Sequence, residues 1–119
     1  EKGERRKLNF GHTFGHAIEK TTGISHGEAV SVGMVFAANL SVKRGLLDKE
    51  EAGRLLQLLG KVKLPTQISF DKDKVIDALK KDKKREGAGI HFVLLKRLGR
   101  AIVEEIAIGE LEELIYAVC

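Results

Sequence analysis

Apolar side chains recur at three- and four-residue steps through most of this chain and give way to short apolar runs near its end. Phe10, Phe14, Ala17 and Ile18 keep helical spacing and predict a helix from Leu8 to about Thr21. Asn9 suits its N-cap, and Gly23 suits a left-handed turn that ends it. Ser25 followed three residues later by Glu28 has the form of a capping box, so a second helix starts near Ser25 or His26. It runs to about Arg44, with Gly45 as the C-cap candidate. This second helix contains AVSVGMVFAANLSV, residues 29–42, the longest run without a charge. The run is too short to span a bilayer and is apolar on nearly every side, which predicts a central core helix.

Asp48 is placed to cap a third helix, Lys49 to about Leu59, with Ala52, Leu55, Leu56 and Leu59 on one face. A linker holding the only proline, Pro65, precedes a fourth helix. That helix opens at Asp71 or Asp73, runs through Lys81 and uses Val75, Ile76 and Leu79 as its apolar face. Gly87 and Gly89 then break the chain. Ile90–Leu95 and Ala101–Ile108 read as two strands joined through Leu98, Gly99 and Arg100, which makes a β-hairpin. A last helix spans Glu110 to about Val118. The expected fold is mainly α: several helices and one small β-hairpin.

At 119 residues, 43% hydrophobic and 32% charged, the chain has the size and composition of one globular domain. Its one cysteine, Cys119, excludes an internal disulfide and a cysteine-based zinc ribbon. The opening Glu-Lys-Gly-Glu-Arg-Arg has no apolar core of a secretory signal, and a cytoplasmic setting is expected. The net charge is +4, with basic clusters at residues 5–7 and in KKDKKR, residues 80–85. No tryptophan is present, aromatic residues do not interleave with these clusters, and acids interrupt them. Nucleic acid is therefore not the expected partner, nor is a membrane. A solvated surface or the capture of a small phosphorylated molecule fits the clusters better. The chain meets its densest chemistry within about ten residues of its start, which suggests the back portion of a longer protein.

That chemistry lies in LNFGHTFGHAIEKTTGISHGEAV, residues 8–30, which holds three of the four histidines. His12 and His16 are four residues apart and share a helix face, a spacing that suits a metal ion. Thr13 stands where a metalloprotease motif of this spacing carries its glutamate base, so that mechanism is excluded. His26 follows the Gly23 turn and returns toward the first helix if the two helices pack antiparallel; Glu28 lies nearby. The competing reading makes each imidazole a hydrogen-bonded structural residue. Gly11 and Gly15 inside the first helix each cost about 1 kcal/mol relative to alanine, which points to a close approach by another helix or a ligand.

LNFGHTFGHAIE followed by HGEAVSVGM closely resembles the 3-dehydroquinate synthase family, and so does the later DKK at residues 82–84. The resemblance implies the multihelical C-terminal, metal- and substrate-binding domain of that fold over residues 1–119. It also implies an N-terminal NAD-binding domain absent from this chain; no glycine-rich dinucleotide turn occurs here. The implied activity is a lyase of the shikimate pathway to aromatic amino acids. It converts 3-deoxy-D-arabino-heptulosonate 7-phosphate to 3-dehydroquinate and phosphate, with NAD and zinc or cobalt as cofactors. In that family NAD transiently oxidises a ring carbinol, phosphate is eliminated, the ketone is reduced back, and ring opening and aldol closure follow. By the same resemblance His12 and His26 are metal ligands, and His16 contacts the substrate phosphate and assists proton transfer. Asn9 and Arg5 bind substrate, Asn9 belonging with His16 to the catalytic set, and Lys83, with Lys84 as its rival, binds the anionic groups. The third metal ligand is a glutamate upstream of Glu1, and Glu28 is not that ligand. The chain alone is then expected to be inactive and to bind zinc weakly, and the parent enzyme to be a homodimer. Related sugar-phosphate cyclases, of the 2-deoxy-scyllo-inosose or valiolone type, share the histidine block and are the alternative, followed by a non-catalytic helical module.

Overall fold

The computed structural model describes residues 11–86, 90–97 and 100–118; the side chains of residues 82–86, 91 and 118 lie outside that description. Within it are five helices and one antiparallel hairpin. The order is α1 (His12–Thr22), α2 (His26–Lys43), α3 (Lys49–Lys61), α4 (Lys72–Glu86), β1 (Ile90–Arg97), β2 (Arg100–Ile106) and α5 (Ile108–Val118). The mainly α expectation with one small hairpin holds. No helix among the described residues is long and apolar enough to cross a membrane.

α2 is the central post, as its all-round apolar sequence requires. Ala29, Val32, Val35, Phe36, Ala37, Ala38 and Leu40 are buried on several sides of it. The main core joins Phe14 and Ile18 of α1, Phe36 and Leu40 of α2, Val75 and Leu79 of α4, β1, and Leu111 and Ile115 of α5. Phe14 stacks flat on Phe36 with ring centroids 3.9 Å apart. A smaller cluster of Ala38, Leu47, Ala52 and Leu95 seats α3. Because β1 lies between these two clusters, consecutive residues Phe92, Val93, Leu94 and Leu95 are all buried. Strict alternation is thereby lost. Ser41 ties post to hairpin: its Oγ donates to the Ala37 carbonyl (2.7 Å) and accepts from the Leu95 N–H (2.9 Å).

Several boundaries differ from the sequence expectation. α1 spans His12–Thr22, with Gly11 at its N-cap in a left-handed conformation (φ 82°). Gly11 is therefore a breaker at the helix entrance, outside the helix interior. The expected Asn9 cap and Leu8 start lie outside the described residues, as do Gly87, Gly89, the turn residues Leu98 and Gly99, and Cys119. Asp48 holds the N-cap position of α3 without a side-chain cap bond. Asp71, rather than Asp73, caps α4, its Oδ1 accepting from the N–H groups of Asp73 and Lys74. α4 continues past Lys81 to Glu86, taking in the charged KKDKKR run. These are good helix formers, so the helix persists where apolar periodicity has stopped. β2 ends at Ile106, and Ile108, expected at the end of the strand, opens α5 instead. The Ala107 carbonyl already accepts from the Leu111 N–H, the first bond of that helix.

Candidate functional site

The site is built on the α1–α2 hairpin. The two helices run antiparallel across the Gly23 turn, where Gly23 is left-handed (φ 76°) and its N–H donates to the Glu19 carbonyl. α2 then starts on a complete capping box: the Ser25 Oγ accepts from the Glu28 N–H, and the Glu28 carboxylate accepts from the Ser25 N–H. This fixes His26 at the first turn of α2. It also occupies Glu28, the acid nearest to His26 in sequence, within the box.

Close backbone contact holds the hairpin together. A Cβ on Gly33 of α2 would stand 2.0 Å from the Gly11 carbonyl oxygen and 2.8 Å from the Gly15 nitrogen. A Cβ on Gly15 would meet the Ala29 carbonyl oxygen at 3.0 Å. The expected close approach at Gly11 and Gly15 is therefore α2 itself, and Gly33 is its third and tightest point.

On the face of this hairpin the three imidazoles come together. Ring centroids are 5.6 Å apart for His12 and His16, 5.6 Å for His12 and His26, and 6.0 Å for His16 and His26. The three rings thus form a nearly equilateral triangle drawn from two helices, and the antiparallel return expected of His26 is realised. Burial first, then the neighbouring His16 and His26, hold the His12 imidazole below its usual value of 6.5. This favours the neutral form, the one with a lone pair to offer a cation. The His26 Nδ1 lies 2.9 Å from the Glu19 Oε1, an ion pair or hydrogen bond across the hairpin. Glu19 was not singled out from sequence. The signal available was its place near the C-terminal end of α1, which an antiparallel hairpin sets opposite the start of α2.

Arg5 and Asn9 lie outside the described residues, as do the side chains of Lys83 and Lys84, which are carried on the last turns of α4. Among the described residues no group of three or more His, Cys, Asp or Glu is placed to hold a metal ion by itself. A groove of about 720 Å³ opens elsewhere, lined by Phe14, Phe36, Leu56, Phe70 and neighbouring polar residues. It contains none of the three histidines and no ionisable side chain.

With this geometry in place, the likeness to known proteins has a physical basis. The family described as 3-dehydroquinate synthase C-terminal matches residues 1–85, which include the whole histidine hairpin. A 3-dehydroquinate synthase of Dehalococcoides mccartyi is 49% identical over 108 residues, covering 88% of this chain and 30% of the relative. That of Pyrobaculum neutrophilum is 41% identical over 116 residues, covering 95% of this chain and 34% of the relative. A 2-deoxy-scyllo-inosose synthase solved with carbaglucose-6-phosphate, NAD+ and Co2+ superposes with a TM-score of 0.79 at 28% identity, covering 94% of this chain and 35% of the other. The 2-epi-5-epi-valiolone synthase of Streptomyces hygroscopicus, solved with NAD+ and Zn2+, gives a TM-score of 0.77 at 29% identity, covering 93% and 32%. The chain thus spans about a third of the length of the proteins it resembles. On the family match and these identities together, the chain belongs to the 3-dehydroquinate synthase C-terminal family.

Proposed function

We propose that this chain is the metal- and substrate-binding part of a 3-dehydroquinate synthase that converts 3-deoxy-D-arabino-heptulosonate 7-phosphate to 3-dehydroquinate and phosphate. The observation that carries this reading is the convergence of His12, His16 and His26 across a hairpin held by backbone contact. In this reading His12 and His26 are metal ligands, and the third, a carboxylate, comes from sequence outside residues 1–119. The donor chemistry fits zinc or cobalt: two imidazoles, one of them biased toward its neutral form by burial. When bound, the cation supplies Lewis acidity at a ring oxygen, and NAD, held by a domain outside this chain, supplies the hydride acceptor.

The chain's own residues do the rest. His16, exposed beside the two proposed ligands, contacts the substrate phosphate and carries a proton during its departure. Arg5 and Asn9 hold the polar groups of the substrate. Lys83, with Lys84 as its alternate, balances the anionic charge that grows on the leaving phosphate. These assignments rest on the family resemblance and on the clustering of the imidazoles. A cytoplasmic setting and a homodimeric parent belong to the same proposal.

The test is made in the full-length enzyme. His12→Ala and His26→Ala are each expected to abolish phosphate release and to lose bound metal while the far-UV spectrum is kept. His16→Ala is expected to lose turnover and keep the metal. Retention of metal by both His12→Ala and His26→Ala would overturn the ligand assignment. A related sugar-phosphate cyclase is the second reading, favoured by the TM-score of 0.79 to the inosose synthase. The relatives at 41–49% identity, all named 3-dehydroquinate synthase, weigh against it. Turnover of the heptulosonate phosphate separates the two.

A further inference from the structure

The carboxylate of Glu19 approaches Nδ1 of His26 to 2.9 Å, and nothing in the proposed chemistry uses it. An exposed histidine–glutamate contact is ordinarily worth little. Three features set this one apart. Both partners stand on rigid elements: Glu19 on the last turns of α1, where its carbonyl accepts the turn N–H of Gly23, and His26 behind a complete capping box. The separation of α1 and α2 is fixed by backbone contact at Gly11, Gly15 and Gly33, so the two backbones that carry the pair are held at a set spacing. And Glu28, nearest to His26 in sequence, is occupied in the capping box.

A neutral imidazole carries its proton on one nitrogen and its lone pair on the other. An acceptor at Nδ1 places the proton there and leaves the lone pair on Nε2. From this geometry we infer that Glu19 is a positioning residue: it fixes the His26 ring and its tautomer so that Nε2 is presented toward the space shared with His12. The inference rests on the reading of His26 as a metal ligand, but the tautomer it predicts exists without metal. Carboxylates behind ligating imidazoles orient the ring and raise its basicity, and their loss weakens metal binding by about 10–100-fold.

Two measurements test this. In the metal-free full-length protein at mildly alkaline pH, nitrogen-15 NMR of the His26 ring is expected to show the proton on Nδ1. In Glu19→Ala it is expected to move to a mixture dominated by Nε2–H. In the full-length enzyme, chelator competition is expected to show zinc bound about 10–100-fold more weakly by Glu19→Ala. Glu19→Gln, which keeps an acceptor oxygen without the charge, is expected to recover the tautomer and part of the affinity. A His26 ring that is Nε2–H in the wild-type protein overturns the inference. So does zinc affinity unchanged in Glu19→Ala while His26→Ala loses the metal. If His26→Ala itself keeps full zinc affinity, the ligand reading fails and the inference falls with it, even with the tautomer as described.

Discussion

Gly33→Ala puts the construction of the hairpin to its sharpest test. The added methyl would sit 2.0 Å from the Gly11 carbonyl oxygen, 2.8 Å from the Gly15 nitrogen and 3.0 Å from the Gly11 carbonyl carbon. All three neighbours are backbone, so no side chain can swing aside. A Cβ essentially never approaches another heavy atom to under 3.0 Å, so the two helices must part by about 1 Å at this point. Overpacking of this kind costs about 1–3 kcal/mol, and a clash with fixed backbone belongs at the upper end. Against it stands the helix-propensity gain of alanine over glycine, about 1 kcal/mol. The clash wins, and a net loss of about 2 kcal/mol is expected. At roughly 4 °C per kcal/mol for a domain of this size, Tm should fall by about 8 °C. Urea denaturation followed by circular dichroism measures the loss directly. Gly53→Ala is the matched control: Gly53 lies inside α3 with nothing within 4 Å of its would-be Cβ, so it should gain up to about 1 kcal/mol. If Gly33→Ala proves as stable as the parent while Gly53→Ala gains, close backbone packing is not what holds the hairpin.

Ser41→Ala strips the buried Leu95 N–H of its acceptor and should cost about 1–3 kcal/mol in a denaturation series; a neutral result would mean the α2–β1 link carries no energy. Tyr116, the only tyrosine, donates to the Asp73 carboxylate, and this bond above all raises its phenol above the ordinary 10.0. With the folded value raised, its contribution to stability is whole below pH 10 and is lost as pH rises through the folded value. An ultraviolet tyrosinate titration should show the raised value, and Asp73→Asn should return it toward 10; no change on that substitution would refute the pairing. Titrated with zinc in a calorimeter, the chain by itself should bind weakly, since two imidazoles make an incomplete site; tight one-to-one binding would show that no outside ligand is needed.

Much of the architecture is legible in one dimension. The charge-free run at residues 29–42 announces a helix surrounded by protein, and α2 is that helix. Ser25 and Glu28 announce its start because a capping box is a local bond between neighbours in sequence. Gly23 marks the turn for the same reason: its left-handed backbone is a property of one residue. The histidine block is equally legible as a pattern, although spacing alone pairs His12 with His16 and says nothing of how near His26 comes. What could not be read is whatever depends on two segments meeting. Gly11 looks like a helix-interior residue until the approach of Val30 and Met34 and its own positive φ show it to be the breaker at the entrance. Gly33, unremarked in an apolar run, proves to be the point where two backbones touch. Glu19 becomes a partner of His26 only because the hairpin folds the end of α1 against the start of α2. Periodicity reports which face of an element is apolar, whereas interhelical distance is set by the smallest side chains that two faces present to each other, and that is a property of the pair.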